Sequence, residues 1–181
     1  MGMNNTPASE RIHIGFFGRR NAGKSSIVNA VTGQELAVVS DVKGTTTDPV
    51  YKTMELLPLG PVMIIDTPGF DAEGMLGELR VKKTKQILNK TDIAVLVVDA
   101  AEGLKECDRE LIRLFEAKRI GYLIVYNKSD LLDEIPAAGE KEIYASALKK
   151  EHIFEVKERI GALKEQTEEK CIIADKLDCG D

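Results

Sequence analysis

Short apolar runs alternate with segments of helical periodicity along most of this chain. Apolar and polar residues alternate over 50–57, which predicts a half-exposed strand, and other runs are continuous, as in strands buried on both faces. Apolar residues at three- and four-residue spacing predict helices over 104–117 and 153–163. The continuous runs cover 62–65, 93–98 and 122–126, and further elements are a first strand over 12–17, a first helix over 24–31 and a short strand over 142–144. The alternation predicts βαβ units around a largely parallel sheet.

The composition is that of an ordinary globular protein. The 181 residues are 43% hydrophobic and 30% charged, which is enough for one domain with a substantial core. A net charge of −5 argues against a nucleic-acid partner, because phosphate contacts need a cationic face. The lysines at 82, 83, 85 and 90 form either a local basic patch or the wet face of a helix. No stretch approaches the roughly 18 apolar residues that span a bilayer, and no apolar secretory core begins the sequence, so we expect a cytoplasmic protein without a membrane partner.

A glycine-rich loop lies between the first strand and the first helix. Residues 18–25 read GRRNAGKS, a complete G-x-x-x-x-G-K-S pattern, whose glycines let backbone N–H groups and the helix N-terminus point at a phosphate. Lys24 brings a positive charge to the β- and γ-phosphates, and the Ser25 hydroxyl is placed to bind Mg²⁺. The loop predicts a nucleoside-phosphate site with the phosphate-binding residues Asn21, Ala22, Gly23, Lys24, Ser25 and Ser26.

Two further segments predict the magnesium and γ-phosphate contacts. Asp66 ends a buried apolar run, and its carboxylate can hold Mg²⁺ where the strand ends. Gly69 completes an Asp-x-x-Gly pattern and lies where an N–H can contact the γ-phosphate. Residues 42–49 read VKGTTTDP, either a mobile loop that supplies a threonine to Mg²⁺ or a threonine-rich turn. We expect Thr46 to complete the magnesium shell, and we expect the catalytic residues to be Lys24, Thr46 and Gly69.

A third motif, residues 127–130, follows a buried strand and specifies the base. The Asp130 carboxylate can accept hydrogen bonds from N1–H and the exocyclic amine of guanine, whereas adenine presents no such pair of donors. Lys128 can lay its stem along the base, and the Ala147 N–H is placed to reach the guanine O6. The predicted guanine-binding residues are Asn127, Lys128, Asp130, Ser146 and Ala147, so the expected ligands are GTP and GDP.

In this order the motifs resemble the GTPases of the translation-factor class, which share the Ras-like fold. Asn21, the segment 44–46 and Phe70 look like the TrmE–Era–EngA branch of that class. The resemblance implies a Ras-like P-loop GTPase domain, an α/β domain with a six-stranded, mostly parallel sheet and helices on both faces. Closer similarity to HydF, the maturation GTPase family of FeFe-hydrogenase, lies in the stretches 17–26 (FGRRNAGKSS), 42–50 (VKGTTTDPV) and 76–84 (LGELRVKKT).

The HydF resemblance, which covers roughly residues 10–165, implies a scaffold for hydrogenase cofactor assembly. Its partners would be the radical-SAM maturases HydE and HydG and then the hydrogenase, with a homodimer as a further expectation. In that family a dimerisation domain and an iron–sulfur domain follow the G domain, so we expect no iron–sulfur cluster in this chain. We therefore divide the sequence into a flexible N-terminus (1–10), a GTP-binding domain (11–165) and a linker with the start of a following domain (166–181). The apolar run 171–174 predicts a short strand there, and a disordered tail is the alternative.

The branch also implies how hydrolysis is assisted. Ras-like enzymes place a glutamine after Asp-x-x-Gly to orient the attacking water, and Phe70 stands in that position here. Relatives with this replacement are often activated by potassium, with the phosphate-loop asparagine as a cation ligand, which implies a K⁺ site at Asn21. We therefore expect slow intrinsic hydrolysis of GTP that K⁺ stimulates.

We interpret the chain as a Mg²⁺-dependent, GTP-hydrolysing switch domain of a hydrogenase-maturation scaffold. Two alternatives stay open. One is a tRNA-modification or ribosome-assembly GTPase of the same branch, against which the acidic net charge counts. The other is a non-catalytic scaffold whose shape depends on bound GTP.

Overall fold

The computed structural model describes residues 12–18, 22–33, 50–56, 60–67 and 77–178. The strands in these ranges are β1 (Ile12–Gly18), β2 (Val50–Leu56), β3 (Gly60–Asp66), β4 (Ile93–Asp99), β5 (Gly121–Asn127) and β6 (Glu142–Tyr144). The helices are α1 (Lys24–Thr32), α2 (Gly77–Leu88), α3 (Glu106–Ala117) and α4 (Ile153–Asp178), and a 3-10 helix (Ser129–Leu131) follows β5. The six strands predicted between residues 12 and 144 are all present, and their ends lie within two residues of the predicted ones.

The strands form one sheet in the order β2-β3-β1-β4-β5-β6. β2 runs antiparallel to β3, and the other neighbouring pairs are parallel. The sheet confirms the predicted six-stranded, mostly parallel arrangement. Because β3 and β4 flank β1 on opposite sides, the strand order reverses at β1, and ligands of such sheets bind in the crevice at the carboxyl ends beside this point.

Apolar clusters cover both faces of the sheet. On one face α1 and α4 pack through residues such as Ile27 and Ile160, and on the other α2 and α3 pack through Leu88 and Phe115. The central strand β4 supplies alternate residues to both clusters, and all seven of its residues are buried. Helices therefore lie on both faces, as predicted, and the core holds the strands whose ends carry the motifs.

The C-terminal helix differs from the sequence prediction. The apolar run 171–174 predicts a short strand after a linker, but α4 continues as one helix of 26 residues to Asp178. No glycine or proline interrupts 162–178, and most of its residues are good helix formers, so the helix extends through the apolar run. The strand prediction is wrong, and the domain boundary at residue 165 stays a prediction.

Exposed lysines lie on α2 and just after it. Lys82 and Lys85 on the helix and Lys90 beyond its end are exposed, and Lys83 is half-buried. The Lys90 Nζ lies 5.8 Å from the ring centroid of Tyr51 on the edge strand β2. This exposure fits both interpretations given above, the wet face of a helix and a local basic patch. Within the described ranges, no helix is long and apolar enough to cross a membrane.

Three tyrosines lie at the β5–β6 end of the sheet. The rings of Tyr126 and Tyr144 stack with their centroids 4.7 Å apart, and the Tyr122 hydroxyl donates a hydrogen bond to Glu116 Oε1 at 3.0 Å. Burial, together with the nearby carboxylates of Glu116 and Glu142, raises the pKa of Tyr122 and of Tyr126 to about 12. The folded protein therefore holds these protons more tightly than the unfolded chain does.

Replacement of Tyr126 by phenylalanine is expected to reduce the sensitivity of the fold to alkali. The pKa of Tyr126 is raised from 10.0 to about 12 in the folded protein. The protonated hydroxyl therefore contributes its full stabilisation of the fold below about pH 10, and this contribution is lost as the pH rises towards about 12. Tyr126→Phe should remove roughly 1–2 kcal/mol of that loss, while at neutral pH the free energy of unfolding should change by less than about 1 kcal/mol. Urea unfolding at neutral pH and at about pH 11 measures the difference, with Tyr51→Phe on an exposed ring as the control. An equal alkaline loss in the wild type and in Tyr126→Phe would contradict the prediction.

Candidate functional site

The predicted motifs converge at the carboxyl edge of the sheet. β1 ends at Gly18, β3 at Asp66, β4 at Asp99 and β5 at Asn127. The parallel register pairs Asp99 with Asn127 directly. Because parallel strands present their carboxyl ends at one edge, polar side chains from distant parts of the sequence border a single crevice.

The phosphate loop depends on two glycines. Gly18 has a φ of 145°, and a Cβ there would lie 2.5 Å from the carbonyl oxygen of Val97. Gly23 has a φ of 81°, in the left-handed region, and a Cβ there would collide with the side-chain amide of Asn127. α1 begins at the next residue, Lys24, so the N–H groups of its first turn have no acceptor within the helix. N–H groups in this position at a helix N-terminus suit a phosphate group.

The side chain of Lys24 is buried and links the phosphate loop to the end of β3. Its Nζ donates a hydrogen bond to the Thr67 carbonyl oxygen at 2.6 Å and forms an ion pair with Asp66 Oδ1 at 3.2 Å. Thr67 Oγ1 donates in turn to the carbonyl oxygen of Phe16 at 2.8 Å. Lys24 therefore contacts the residues that lead directly into the predicted γ-phosphate segment.

Asp66 Oδ1 is a buried carboxylate oxygen without a hydrogen bond. It has no hydrogen-bond partner in the part of the chain that the structure describes, although the Lys24 ammonium lies at ion-pair distance. An anionic oxygen in this condition suits a cation. Ser25 lies half-buried in the first turn of α1, and Ser26 beside it is exposed. Asp66 and Ser25 fit Mg²⁺, which takes few protein ligands and completes its shell with phosphate oxygens and water.

No larger metal centre lies in the described ranges. No group of three or more His, Cys, Asp and Glu side chains that could hold a metal ion occurs there.

Asn127 joins the phosphate loop to the loop after β6. Its buried side chain donates from Nδ2 to the Ala22 carbonyl oxygen at 2.9 Å. Its Oδ1 accepts a hydrogen bond from the Ala147 N–H at 3.1 Å. The sequence predicts base contacts for Asn127 and for the Ala147 N–H, and in this structure the two groups bind each other. Asn127 thus positions both loops, and its contact with guanine stays a prediction.

The carboxylate of Asp130 is oriented by Ser146. The Ser146 Oγ donates a hydrogen bond to Asp130 Oδ1 at 2.7 Å and accepts one from the Lys149 N–H at 3.2 Å. Ser146 is fully buried, and its backbone pairs with Glu151 in an isolated bridge. The structure therefore brings Asp130 and Ser146 together as predicted residues of one subsite, with the serine behind the carboxylate.

Asp99 belongs to the site and is missing from the sequence prediction. It is 8% exposed, its Oδ1 accepts a hydrogen bond from the Ala101 N–H at 2.9 Å, and its Oδ2 accepts one from Lys128 Nζ at 3.2 Å. Burial opposes ionisation of Asp99, but the hydrogen bonds from Ala101 and Lys128 outweigh it and lower the pKa of the carboxyl group. The signal was present in the sequence, because Asp99 follows its apolar run as Asp66 and Asn127 follow theirs.

Several predicted site residues lie outside the described ranges. They are Asn21, Thr46 and Gly69, together with Phe70 in the position of the glutamine. Their roles in potassium binding, magnesium binding and hydrolysis stay predictions.

Comparison with known proteins decides the family of this chain. The family described as 50S ribosome-binding GTPase matches residues 13–128, which include the phosphate loop, Asp66 and Asn127. The chain belongs to this GTPase family. Its relatives place it in the TrmE–Era–EngA branch, as predicted, whereas membership of the HydF family stays a prediction.

Over the aligned segments, about a third of the residues are identical between this GTPase and its curated relatives. It is 32% identical over 145 residues to GTPase Der of Kosmotoga olearia, a match that covers 75% of this chain and 33% of that protein. It is 33% identical over 162 residues to tRNA modification GTPase MnmE of Natranaerobius thermophilus, which covers 85% of this chain and 35% of that protein. The GTPase thus spans about a third of the length of these relatives.

Solved structures confirm the Ras-like GTPase fold. The structure of Aquifex aeolicus Era bound to GDP.AlF4⁻ superimposes with a TM-score of 0.66 at 25% identity, over 84% of this chain and 56% of that one. A second Era structure, in complex with MgGDPNP and a segment of 16S ribosomal RNA, gives a TM-score of 0.65 at 25% identity, over 84% of this chain and 55% of that one. The chain is therefore a GTP-binding domain of this fold.

Proposed function

We propose that this GTPase hydrolyses GTP with Mg²⁺ and passes the change of nucleotide to its surroundings as a movement of residues 40–50 and 67–80. One observation carries the proposal: the phosphate-loop lysine holds the end of β3 directly, through Thr67 at 2.6 Å and Asp66 at 3.2 Å. A phosphate that attracts the Lys24 ammonium competes with both contacts. Nucleotide binding then weakens the contacts by which Lys24 holds the start of the segment at Thr67.

The residues of the site divide the work of hydrolysis. The phosphate-loop N–H groups and Lys24 hold the β- and γ-phosphates in line with an attacking water and stabilise the charge that develops on them. We expect the Gly69 N–H, which lies outside the described residues, to contact the γ-phosphate, and Asp130 with Ser146 to hold the base. Bound Mg²⁺ neutralises phosphate oxygens, and Ser25, Asp66 and Thr46 are the residues that would hold it. The MgGDPNP complex of Era, which shares this fold, supports the choice of metal.

Potassium stimulation is part of the proposal. Phe70 cannot hydrogen-bond water, so a monovalent cation at Asn21 would supply the transition-state charge that other GTPases obtain elsewhere. We expect phosphate release from GTP and not from ATP, and we expect a rate at least about tenfold higher in KCl than in NaCl at equal ionic strength. Asn21→Ala should keep the sodium rate and lose the potassium acceleration.

The same assay separates the alternatives. GTP turnover that is indifferent to potassium would retain the GTPase and remove the cation site at Asn21. Tight GTP binding without any turnover would replace the enzyme by a scaffold whose shape depends on bound GTP. Equal turnover of ATP would contradict the guanine site at Asp130.

For the cellular role, the comparisons favour the group of Der and MnmE over hydrogenase maturation. The 33% identity to the tRNA modification GTPase MnmE supports a tRNA-modification role, and the match to the 50S ribosome-binding GTPase family supports a ribosome-assembly role. An Era relative is solved with ribosomal RNA. Hydrogenase maturation, with HydE, HydG and the hydrogenase as partners, rests on the motif resemblance at 17–26, 42–50 and 76–84. Disruption of the gene in its source organism distinguishes them, since one role predicts loss of tRNA modification or of 50S subunits and the other loss of hydrogenase activity.

A further inference from the structure

We propose that Asp99 is a positioning residue for the guanine base, which it serves by anchoring Lys128. The inference rests on the proposed guanine site, and it assigns a role to a residue at the end of β4, outside the motif of residues 127–130. Asp99 Oδ2 and Lys128 Nζ are 3.2 Å apart, and their side chains are 12% and 38% exposed. The carboxylate is therefore the more deeply buried partner, and the ammonium the more exposed one.

The path of the Lys128 side chain is fixed at three points. Lys128 has a φ of 65°, in the left-handed region, which redirects the chain immediately after β5. Its Cε lies next to Gly23 of the phosphate loop, where an added Cβ would be 4.0 Å from it. Its Nζ ends at Asp99, and the Ala100 N–H donates to the Asn127 carbonyl oxygen at 2.8 Å, which ties β4 to the same turn. The methylene stem thus runs between the phosphate loop and the end of β4 as an apolar wall of the base pocket.

The buried Asp99 carboxylate holds the Lys128 stem in one conformation. Asp99 is itself held by the Ala101 N–H at 2.9 Å, so the anchor is a fixed point and not a second mobile side chain. A lysine without such a partner loses much rotamer freedom when a ligand orders it, and this entropy weakens binding. With Asp99 in place the stem is ordered before the nucleotide arrives.

This mechanism predicts a characteristic specificity. The stem contacts the face of a purine and does not read the exocyclic amine, which is the task of Asp130. Loss of the anchor should therefore weaken GDP and inosine diphosphate by the same factor. Loss of the Asp130 carboxylate should instead abolish most of the difference between these two nucleotides.

The test is a double-mutant cycle on nucleotide affinity, read by fluorescent GDP and by competition with inosine diphosphate. Asp99→Asn and Lys128→Met should each weaken GDP by about tenfold, and the double variant should be no weaker than Lys128→Met alone. Steady-state turnover should show the effect of Asp99→Asn on the KM for GTP rather than on kcat. Asp92→Asn, which removes a carboxylate at the opposite end of β4 that contacts His13, is the matched control.

The outcomes are distinct. Additive losses in the double variant, or wild-type affinity of Asp99→Asn, would overturn the anchoring role, as would unequal effects on GDP and inosine diphosphate. Should Asp99→Asn fail to fold, Lys128→Arg replaces it, because a guanidinium can still pair with Asp99 and should restore most of the affinity that Lys128→Met loses. Absence of GDP binding in the wild type would overturn the proposed function itself as well as the anchoring role of Asp99.

Discussion

Lys24→Met is expected to weaken GTP binding by about 100-fold or more, because it removes the buried cation that we propose meets the β- and γ-phosphates. The same change leaves Asp66 as a buried carboxylate without its ion-pair partner, since Lys24 Nζ lies 3.2 Å from Asp66 Oδ1 and that oxygen accepts no hydrogen bond from the described residues. We therefore expect the nucleotide-free protein to lose roughly 3 kcal/mol of unfolding free energy. Titration with fluorescent GTP and urea unfolding measure the two effects.

The control for this variant is Lys52→Met, which removes an exposed lysine from the edge strand β2. It should change neither quantity beyond about 0.5 kcal/mol. If Lys24→Met bound GTP as tightly as the wild type, the phosphate site would lie elsewhere. If it lost affinity but kept full stability, the ion pair to Asp66 would contribute nothing to the free protein.

Asp130→Asn is expected to exchange the base specificity of the site. Guanine presents two donors, N1–H and the exocyclic amine, to the two carboxylate oxygens, and an asparagine offers one acceptor and one donor instead. Affinity for GDP should fall by about 10³-fold, and xanthosine diphosphate, which carries a carbonyl in place of the amine, should bind better than GDP. The Ser146 hydroxyl, 2.7 Å from Asp130 Oδ1, can still donate to the amide oxygen and hold it in place.

Binding of both nucleotides to the wild type, to Asp130→Asn and to Asp133→Asn checks this prediction. Asp133 is an exposed carboxylate three residues further on and serves as the control. Retention of the wild-type preference for GDP in Asp130→Asn would show that another group reads the exocyclic amine.

The sheet was predictable because its signal is local. A strand buried on both faces must be apolar at every position, so the runs at 93–98 and 122–126 identify β4 and β5 directly. The strand prediction for 171–174 is wrong because an apolar run of four residues suits either a strand or a buried helix segment. Absence of a helix breaker between 162 and 178 decides for the helix, and that information lies outside the run itself.

The sequence by itself determined the ligand class, since the phosphate loop and the motif at 127–130 are contiguous segments whose chemistry is written in neighbouring residues. Tertiary structure alone decided which residues support them. Asn127 reaches Ala22 across 105 positions of sequence, Lys24 reaches Thr67 across 43, and Lys128 reaches Asp99 across 29. Each of these contacts depends on the strand order around β1. That order is set by the packing of two helical layers against the sheet, and no local sequence pattern specifies this packing.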